Sequence, residues 1–513
     1  MRLDSASGGN VGRIRGVPHE TSATLVGRDG RSCISSCLWF ASAFSTTDAC
    51  PGRQPPDGVR PRADHVAPCS VTPWPRADAS SLDSKDGRMA LVTESRKAER
   101  IAVLGAGISG LSTAWLLKRR GIDVRLLEAS DRIGGLARSF EWHGVKCDIA
   151  PHRFFTNDQE ILSTFLNLVP MSAHKRNSRI FMAGHVMRDP INPVELVLKL
   201  PAATSSRLVW DFLFKPTLPE DSFESMAISS FGRGLYEFFF LPYTRKLFGV
   251  SPREISAEWG KQKLRSSGLA DALKRNSKTF FRGFHYPNQG GYQAISDAFC
   301  ESIRDSVTLG ATVTGLDSTG DRISGVTYQL GGREHVLACD RVISTIPSTV
   351  LGGMLGHEVK LRFKPIQIVY LNISRPQVMP HHWIYFGDGD VVINRLAEFK
   401  NFSHDHTAED NTVLCAEVTV DTDSPVEDVL TALERYQLID RKDVNDTLTI
   451  PIRCGYPIYD RGYEAIREGA LDFFNGFENL HLVGRNAEFR HIDADEDFAS
   501  ANHLINELYG RGE

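Results

Sequence analysis

Three glycines near the start of the first regular segment have the type and spacing to hold a phosphate. Gly105, Gly107 and Gly110 follow the apolar run Ile101–Leu104 in a G-x-G-x-x-G pattern. The first glycine permits a tight turn, the second lets the backbone approach a pyrophosphate, and the third lets the next helix pack on the strand. Amides at the start of that helix favour an anion. The pattern predicts a dinucleotide site whose remaining contacts are Ala106, Ile108 and Ser109.

An acidic residue closes the second apolar run, where a ribose-binding carboxylate is expected. Glu128 follows Val124–Leu127 and stands eighteen residues after Gly110. Its carboxylate suits the ribose hydroxyls and repels a 2′-phosphate, so NADP is disfavoured, and the adjacent Ala129 joins the predicted contacts. A glycine turn with a purely structural role is the alternative. The strand, helix and acid in their required order favour the nucleotide.

A second glycine pair selects the kind of nucleotide. Gly134 and Gly135 follow the acid at short range, with Leu136 and Arg138 close behind. Two adjacent glycines allow a second backbone approach to the same long cofactor, and an arginine there can bind a phosphate through two hydrogen bonds. A simple NAD site does not need this loop. The segment therefore favours FAD.

These motifs must be positioned by an α/β fold. The residues from Ile101 to Leu127 read as a strand–helix–strand unit. The region from about Ile161 to Arg282 reads mainly as helices, a strand-rich part follows, and the C-terminal region returns to helix and the buried strand in "NLHLVGR". We expect a discontinuous Rossmann-like FAD-binding domain with an inserted α+β substrate domain. The FAD-binding domain is predicted to comprise residues 99–160, 283–350 and 455–513. The substrate or helical-cap domain is predicted to comprise residues 161–282 and 351–454.

Composition excludes several other classes of protein. The chain has 513 residues and a net charge of −4, with no Lys/Arg stripe, so a nucleic-acid partner is not expected. No apolar run approaches the ~18 residues that span a bilayer, whereas association with a membrane surface is compatible with the sequence. The nine cysteines lack paired C-x-x-C spacing and predict reduced thiols and a cytoplasmic location.

The N-terminal segment differs from the rest of the chain. Residues 1–88 are rich in Arg, Pro, Ser, Gly and Asp and lack sustained apolar periodicity. Such a segment cannot bury enough surface to offset its ordering entropy. We expect residues 1–98 to be a disordered or mis-assigned extension, with translation beginning at Met89. A transit peptide is the alternative, although the many aspartates disfavour it.

Two segments carry a resemblance to a known family. "LLEASDRIGGLARS" resembles the second FAD motif of the flavin amine oxidase superfamily, which includes protoporphyrinogen oxidases, phytoene desaturases and UDP-galactopyranose mutases. "NLHLVGRNAEFRHIDADEDFASANHLI" resembles its closing FAD motif. The resemblance implies that Gly484 and Arg485 contact the ribityl–pyrophosphate part, that Asp495 lies near the flavin, and that Val313 lies on the strand that meets the adenine. "HIDADED" lacks the glycine and final glutamate of a calcium loop, so no metal is expected.

A third segment resembles the flavin-facing loop of the mutases and of protoporphyrinogen-oxidase-like proteins. In "CDIAPHRFFTND", Ala150 stands where those groups usually have glycine. The resemblance implies that Pro151 and His152 lie beside the isoalloxazine, with His152 as a catalytic candidate that tunes the N5 region. A histidine bonded to loop backbone is the alternative.

Further similarity extends the resemblance from about Ile101 to Leu508. It includes "FGRGLYEFFFLPYTRKLFG", "VVINRLAEFKNFS" and "YPIYDRGY". We place Arg395 on a strand edge, where it could clamp a diphosphate or carboxylate as the second catalytic candidate. The alternative for Arg395 is a salt bridge with a purely structural role, and the alternative for the candidate tyrosines is packing in the core. The substrate-contact candidates are Tyr286, Tyr292, Arg395, Lys400, Tyr456 and Tyr459.

The resemblance implies an FAD-dependent enzyme and leaves two reactions open. The first is dehydrogenation of a small molecule by hydride transfer to flavin N5; the second is a sugar-nucleotide isomerisation that uses reduced flavin as nucleophile. Pro151-His152, the "NRLAEFK" strand and Asp493 favour the mutase, whereas Leu136 stands where mutases carry Asn. We favour the oxidoreductase, with a sugar nucleotide, a glycan or an isoprenoid or tetrapyrrole precursor as substrate. A protein that keeps FAD without turnover is a third class.

Overall fold

The computed structural model describes residues 99–189, 191–267 and 283–510. The predictions made for residues 1–98 therefore lie outside the described residues. The strands are β1 Ile101–Leu104, β2 Val124–Leu127, β3 Ser139–Trp142, β4 Val145–Asp148, β5 Met171–His174, β6 Ser178–Met182, β7 His185–Arg188, β8 Phe284–Pro287, β9 Val307–Thr308, β10 Thr312–Thr319, β11 Arg322–Leu330, β12 Arg333–Ala338, β13 Arg341–Ser344, β14 Arg362–Ile373, β15 Trp383–Phe386, β16 Ile393–Glu398, β17 Thr412–Val418, β18 Val444–Ile458 and β19 Leu480–Leu482. The α-helices are α1 Ile108–Arg119, α2 Gln159–Leu168, α3 Pro193–Lys199, α4 Ala202–Leu213, α5 Phe223–Leu235, α6 Leu241–Phe248, α7 Ala257–Ser267, α8 Gln293–Glu301, α9 Ser348–Met354, α10 Pro425–Arg435, α11 Tyr463–Asn475 and α12 Ala494–Tyr509.

A five-stranded parallel sheet positions the nucleotide motifs. Its order is β19-β13-β1-β2-β9, so strands from three distant parts of the chain lie side by side. Strand β1 is apolar throughout because both faces of the sheet are covered, one by α1 and α12 and the other mainly by the strands β10 and β11. Helix α1 follows β1 directly and packs against α12. The carboxyl ends of β1, β2 and β19 therefore meet at one edge, where ligands of such sheets bind.

A second sheet of seven strands forms the other large layer. Its order is β18-β14-β17-β16-β15-β6-β7, mostly antiparallel, with β6 parallel to β15. Strand β17 is buried along its whole length, which is expected for a strand with neighbours on both sides and packing on both faces. The strand-rich part predicted after the helical region is confirmed here, since "IQIVYLNIS", "DVVINRLAEF" and "NTVLCAEVTVD" lie largely in β14, β16 and β17.

The prediction of mainly helices between Ile161 and Arg282 is partly wrong. Helices α2 to α7 lie there, but the segment also contains β5, β6 and β7. Short apolar runs cannot be assigned to helix or strand from periodicity alone. Pairing of β6 with β15, about two hundred residues further along the chain, decides the conformation of Ser178–Met182.

A glycine kink divides the helical region. Gly232 inside α5 has a φ of 81°, and a Cβ there would lie 2.2 Å from the carbonyl oxygen of Asp211 on α4. Only glycine permits this backbone conformation and this close approach. The chain continues through a π-helical turn, Tyr236–Phe240, into α6.

The predicted domain boundaries can be compared with these elements but stay a prediction. The FAD-binding segments supply the five-stranded sheet, whereas the predicted boundary at residue 455 falls inside β18 of the second sheet. The five described cysteines are free thiols. None of the described helices combines the length and the apolar composition that crossing a membrane requires.

Two glycine substitutions test how α1 packs. A Cβ at Gly110 would lie 1.9 Å from the carbonyl oxygen of Gly105, whereas a Cβ at Gly469 on α11 meets no atom within 4 Å. We expect Gly110→Ala to lower the free energy of unfolding by about 3 kcal/mol, and Gly469→Ala to raise it by about 0.5–1 kcal/mol. Urea unfolding of both variants measures this. Equal effects of the two substitutions would contradict the close packing of α1 on the first turn.

Candidate functional site

The amino end of α1 opens onto a space that is free of side chains. Gly105 has a φ of 96°, and its N–H donates to the carbonyl of Leu127 at 2.8 Å, which fixes the turn after β1. A Cβ at Gly107, in contrast to one at Gly110, would meet no atom within 4 Å. The first and third glycines are therefore required by the fold itself. The second glycine leaves room for a group to approach the amides at the helix start.

The carboxylate of Glu128 is held beside this turn. Its Oε2 accepts a hydrogen bond of 2.7 Å from the N–H of Ala106, and its Oε1 accepts bonds of 2.9 Å and 2.8 Å from the N–H and hydroxyl of Ser130. Ala129 lies between Glu128 and Ser130 in the same turn. The acid predicted to bind ribose is thus fixed next to the glycine motif.

The glycine pair Gly134-Gly135 lies directly against the G-x-G-x-x-G turn. The N–H of Gly134 donates to the carbonyl of Ala106 at 2.7 Å, and a Cβ at Gly135 would lie 3.2 Å from the Cα of Gly107. Gly135 begins a short 3₁₀ turn that contains Leu136. The Nε of Arg138 donates to the carbonyl of Gly135 at 2.9 Å. Burial lowers the pKa of Arg138, and the nearby Glu128 opposes this shift.

The closing segment completes the same cradle from the opposite side. Gly484 has a φ of 96°, and a Cβ there would lie 2.1 Å from the Oγ of Ser109 on α1. The guanidinium of Arg485 donates to the carbonyls of Gly455 at 3.0 Å and Ile492 at 3.3 Å. Its buried Nε has no hydrogen-bond partner, and no carboxylate of the described chain forms an ion pair with it. A half-buried guanidinium with an unpaired Nε fits an anionic phosphate.

Sequence reasoning selected Asp495 and missed Asp497. The Oδ1 of Asp497 accepts from the N–H of Arg485 at 2.9 Å, and its carboxyl also bonds Ser109. Burial raises the pKa of Asp497 to about 7. Asp495 instead bonds Thr156, and burial raises its pKa to about 6. The two acids stand two residues apart on the first turn of α12, so the sequence motif alone did not distinguish them.

His152 lies in a half-buried loop, and its buried Nδ1 is unused. Its ring stacks on Tyr292 with centroids 5.0 Å apart, and Nδ1 has no hydrogen-bond partner. Burial, together with the positive charges of Arg395 and Arg485, lowers the pKa of His152 to about 4. The imidazole is therefore neutral at physiological pH. Ala150 of the same loop has a φ of 65°, a left-handed conformation that glycine adopts more readily than alanine.

A buried carboxylate that the sequence did not reveal supports this loop. Asp148 at the end of β4 accepts hydrogen bonds from the hydroxyl of Tyr286 at 2.8 Å, the N–H of Tyr292 at 3.0 Å and the hydroxyl of Ser139 at 2.6 Å. Burial raises the pKa of Asp148 to about 6. Pro151, next in the loop after Ala150, is also buried. No chemical motif marks Asp148 in the sequence, because two of its three partners, Tyr286 and Tyr292, follow it by about 140 residues.

Arg395 is part of a buried charge pair and does not stand on a strand edge. Strand β16 lies between β15 and β17, so the edge placement is wrong. The Nε and Nη2 of Arg395 donate to Glu417 at 3.1 Å and 2.9 Å, and the hydroxyl of Tyr456 donates to the same carboxylate at 2.6 Å. Burial alone would lower the pKa of Arg395, but Glu417 raises it well above its usual value.

Two more tyrosines belong to this cluster. Burial raises the pKa of Tyr243 on α6, and the nearby Tyr385 on β15 and Glu417 raise it further. Tyr385 pairs with Arg395 across β15 and β16. Sequence reasoning missed both tyrosines because α6 and β15 are separated by about 140 residues. The cluster combines one neutralised ion pair with phenolic side chains.

The remaining candidates lie away from this cluster or are used by the protein itself. Tyr286 is fully buried on Asp148, and the hydroxyl of Tyr459 accepts from the N–H of His491 at 2.8 Å. Lys400 donates to the backbone carbonyls of Pro376 and Glu409. Val313 lies on β10 of a separate three-stranded sheet. The roles predicted for these residues stay untested.

Comparisons with known proteins bear on the family. The model of the family described as flavin containing amine oxidoreductase matches residues 108–371. Protoporphyrinogen oxidase 2 of Arabidopsis thaliana is 27% identical over 331 residues, which cover 55% of this chain and 64% of that protein. A probable UDP-galactopyranose mutase of Klebsiella pneumoniae is 27% identical over 169 residues, which cover 31% of this chain and 43% of that protein. The chain thus spans less than two thirds of the length of these curated relatives.

Solved structures share the fold. Reduced UDP-galactopyranose mutase superposes with a TM-score of 0.70 at 22% identity, covering 81% of this chain and 96% of that one. A putative protoporphyrinogen oxidase from Exiguobacterium sp. 255-15 superposes with a TM-score of 0.63 at 15% identity, covering 80% and 99% of the two chains. At these identities the likeness concerns the fold. It agrees with the α/β FAD-binding fold expected from the glycine motifs.

The open space at Gly107 gives a direct test of cofactor binding. We expect Gly107→Ala to leave the unfolding transition of the apoprotein unchanged, because the added methyl meets no protein atom. The same methyl occupies the space through which a pyrophosphate reaches the helix start, so the affinity for FAD should fall at least about tenfold. Fluorescence titration of the apoprotein with FAD measures this. Gly353→Ala, also in open space but on α9, is the matched control. Unchanged FAD affinity in Gly107→Ala would contradict the placement.

The raised pKa of Asp497 predicts a pH dependence of FAD binding. The diphosphate of FAD favours the protonated, neutral form of a carboxyl near it, so binding should take up a proton at Asp497 when the pH exceeds its pKa of about 7. We expect the affinity for FAD to fall as the pH rises above 7, by up to about tenfold per pH unit. Asp497→Asn should abolish this dependence. Calorimetric titration with FAD at several pH values above 7 measures this dependence. The same slope of FAD affinity against pH in the unaltered protein and in Asp497→Asn would contradict the interpretation.

Proposed function

This chain belongs to the flavin containing amine oxidoreductase family, and from that premise we propose that it is an FAD-dependent oxidoreductase that dehydrogenates a small molecule of low net charge. FAD is the cofactor that the family carries, and the cradle built by Gly107, Gly135 and Arg485 fits its diphosphate. When bound, FAD accepts a hydride at N5 of the isoalloxazine. The tasks of this chain are to bind, orient and desolvate the reactants.

The observation that carries the proposal is the charge balance of the Arg395 cluster. The guanidinium of Arg395 is bonded twice by Glu417, whose carboxylate is fully buried and also accepts from Tyr456. A buried ion pair of this kind has no net charge to offer to a dianionic diphosphate. The phenols of Tyr243 and Tyr385 provide apolar surface and single hydroxyl groups. A neutral substrate with few polar atoms suits these surroundings best.

His152 supplies a neutral polar group beside this cluster. With a pKa of about 4 the imidazole carries one proton at physiological pH, so one ring nitrogen donates and the other accepts. Its stacking on Tyr292, whose N–H is bonded to Asp148, fixes the orientation of the ring. The unused Nδ1 is available to a hydrogen-bonding atom of the substrate or the isoalloxazine. His152 and Arg395 are therefore our candidates for the residues that touch the reacting groups.

A sugar-nucleotide mutase is the second candidate function. The positive charges of Arg395 and Arg485 both act on His152, and two guanidinium groups are a suitable binding site for a diphosphate. The similarity to the Klebsiella pneumoniae mutase supports this candidate. Against it, Glu417 neutralises Arg395, and Arg485 faces the cofactor cradle. The two candidate functions therefore differ in their substrates. The oxidoreductase would act on a glycan, an isoprenoid precursor or a tetrapyrrole precursor, whereas the mutase would act on a sugar nucleotide.

Anaerobic mixing separates the two reactions. We expect a panel of reduced precursors to include one that bleaches the visible flavin absorption of the oxidised holoprotein, with the colour returning when air is admitted. UDP-galactose should neither bleach the flavin nor be converted. If UDP-galactose is converted without net oxidation, and only by the dithionite-reduced form of the protein, the oxidoreductase proposal is overturned in favour of the mutase.

The charge balance can be altered by one substitution. Glu417→Gln keeps a hydrogen-bond acceptor for Tyr456 but leaves the charge of Arg395 uncompensated. We expect it to lower the free energy of unfolding by about 3 kcal/mol and to strengthen UDP binding about tenfold. Calorimetry with UDP measures the second effect, and Glu358→Gln, an exposed glutamate, is the control. Tight UDP binding by the unaltered protein would contradict a pocket of low net charge.

A further inference from the structure

Exposed apolar side chains are concentrated on two consecutive helices. Seven of the thirteen large apolar residues that the described chain exposes lie between residues 194 and 214. This segment forms α3 and α4, which pack on one another and on α5. We name the outermost of these side chains the apolar ridge: Val194, Leu198, Val209, Trp210, Leu213 and Phe214.

The ridge is the outward face of both helices and not a surface left by incomplete packing. On α4, Ser205 and Leu208 turn inward and are buried, whereas Trp210 and Leu213 are 63% and 67% exposed. On α3, Leu196 is buried and Leu198 is 79% exposed. A surface helix of a globular protein normally directs its polar face to solvent. Here the apolar side chains point to solvent, which marks an interaction surface.

Hydrogen bonds fix the two helices with the ridge exposed. The hydroxyl of Ser205 donates to the carbonyl of Val197 at 2.7 Å and to that of Leu200 at 3.3 Å, which holds α4 to the end of α3. The buried side chains of both helices pack in one cluster with Ile180, Met182 and Met187. The outward direction of Trp210 and Leu213 is therefore set by the fold.

The charges around the ridge fit a surface of negative charge. Between residues 193 and 215 the chain carries Lys199, Arg207 and Lys215 against two carboxylates, Glu195 and Asp211. Both carboxylates are engaged in ion pairs, with Lys199 and with Arg207. Lys215 lies 4.3 Å from the ring of Phe212, and no carboxylate of the described chain pairs with it. Arg207 also pairs with the exposed Glu237, which Arg233 approaches as well. The rim therefore keeps a positive balance through Lys215, and each of these acids is paired.

We propose that the apolar ridge lies in the interface of a lipid bilayer that contains anionic lipids. The most exposed side chains of the ridge, at more than 60%, protrude into solvent. A protein partner would need a matching pocket for each of them, whereas the acyl boundary of a bilayer adapts to their shape. Tryptophan and phenylalanine with flanking lysines are typical of helices that lie in this interface. The helices are too short to cross the bilayer, so the protein lies on the surface.

Vesicle co-sedimentation of the full chain tests this proposal. We expect binding to mixed phosphatidylcholine–phosphatidylglycerol vesicles, with weaker binding to phosphatidylcholine alone because the basic rim contributes. The double variant Trp210→Gln/Leu213→Gln should bind at least about tenfold more weakly, since two interfacial apolar side chains are lost. Lys215→Gln should weaken binding to the mixed vesicles and leave binding to phosphatidylcholine unchanged.

A matched variant and a second pair of substitutions complete the experiment. Val336→Gln/Ile466→Gln removes two other exposed apolar side chains, outside the ridge, and should bind as the unaltered protein does. Val194→Gln/Leu198→Gln repeats the test on α3 should the first double variant fail to fold. Absence of binding to either vesicle, or equal loss in the control, overturns the proposal. The proposal is also overturned if the protein dimerises in the absence of lipid and Trp210→Gln/Leu213→Gln abolishes the dimer. A second copy of the chain would then occupy the ridge.

Discussion

The amino end of α1 has to stay free of side chains, and the nucleotide-binding half of the molecule is arranged around that requirement. Gly105 and Gly110 are so close that a methyl group at either position collides with the turn or with Thr345. Gly135 and Gly484 bring two distant loops to the same helix end, and Glu128 and Asp497 hold the flanking backbone through their carboxylates. The parallel sheet makes this convergence possible, because strands from three parts of the chain end at one edge.

Charge is distributed unequally between the two halves of the site. On the cofactor side, half-buried Arg485 has a buried Nε with no hydrogen-bond partner and no ion pair with an acid of the described chain, a state that a diphosphate would relieve. On the substrate side, Arg395 and Glu417 neutralise one another, and His152 is kept neutral by burial and by both arginines. Under the proposed function, the anionic diphosphate would lie on the Arg485 side and the reacting carbon of the substrate on the uncharged side. This division is the physical basis for preferring dehydrogenation to isomerisation of a nucleotide sugar.

Local patterns in the sequence were sufficient for part of this structure. The glycine spacings, the acid at Glu128 and the buried strands predicted the parallel sheet and its cradle, because each signal lies within about forty residues. The residues that complete the site could not be found in that way. Asp148 and Tyr243 gain their roles from partners more than a hundred residues away, and β6 becomes a strand only through pairing with β15. The same holds for Arg395, whose strand is interior because β15 and β17 flank it.

Hydrogen exchange of the full chain with and without FAD tests the central claim most directly, because it reports backbone amides and requires no substrate. The account predicts that FAD protects three separated segments together: the turn at Gly105–Gly110, the loop at Gly134–Arg138 and the strand end at Gly484–Arg485. The protection should be complete at one FAD per chain. Failure of FAD to protect any of the three, or protection confined to other parts of the chain, would contradict the claim that these segments form one cofactor cradle.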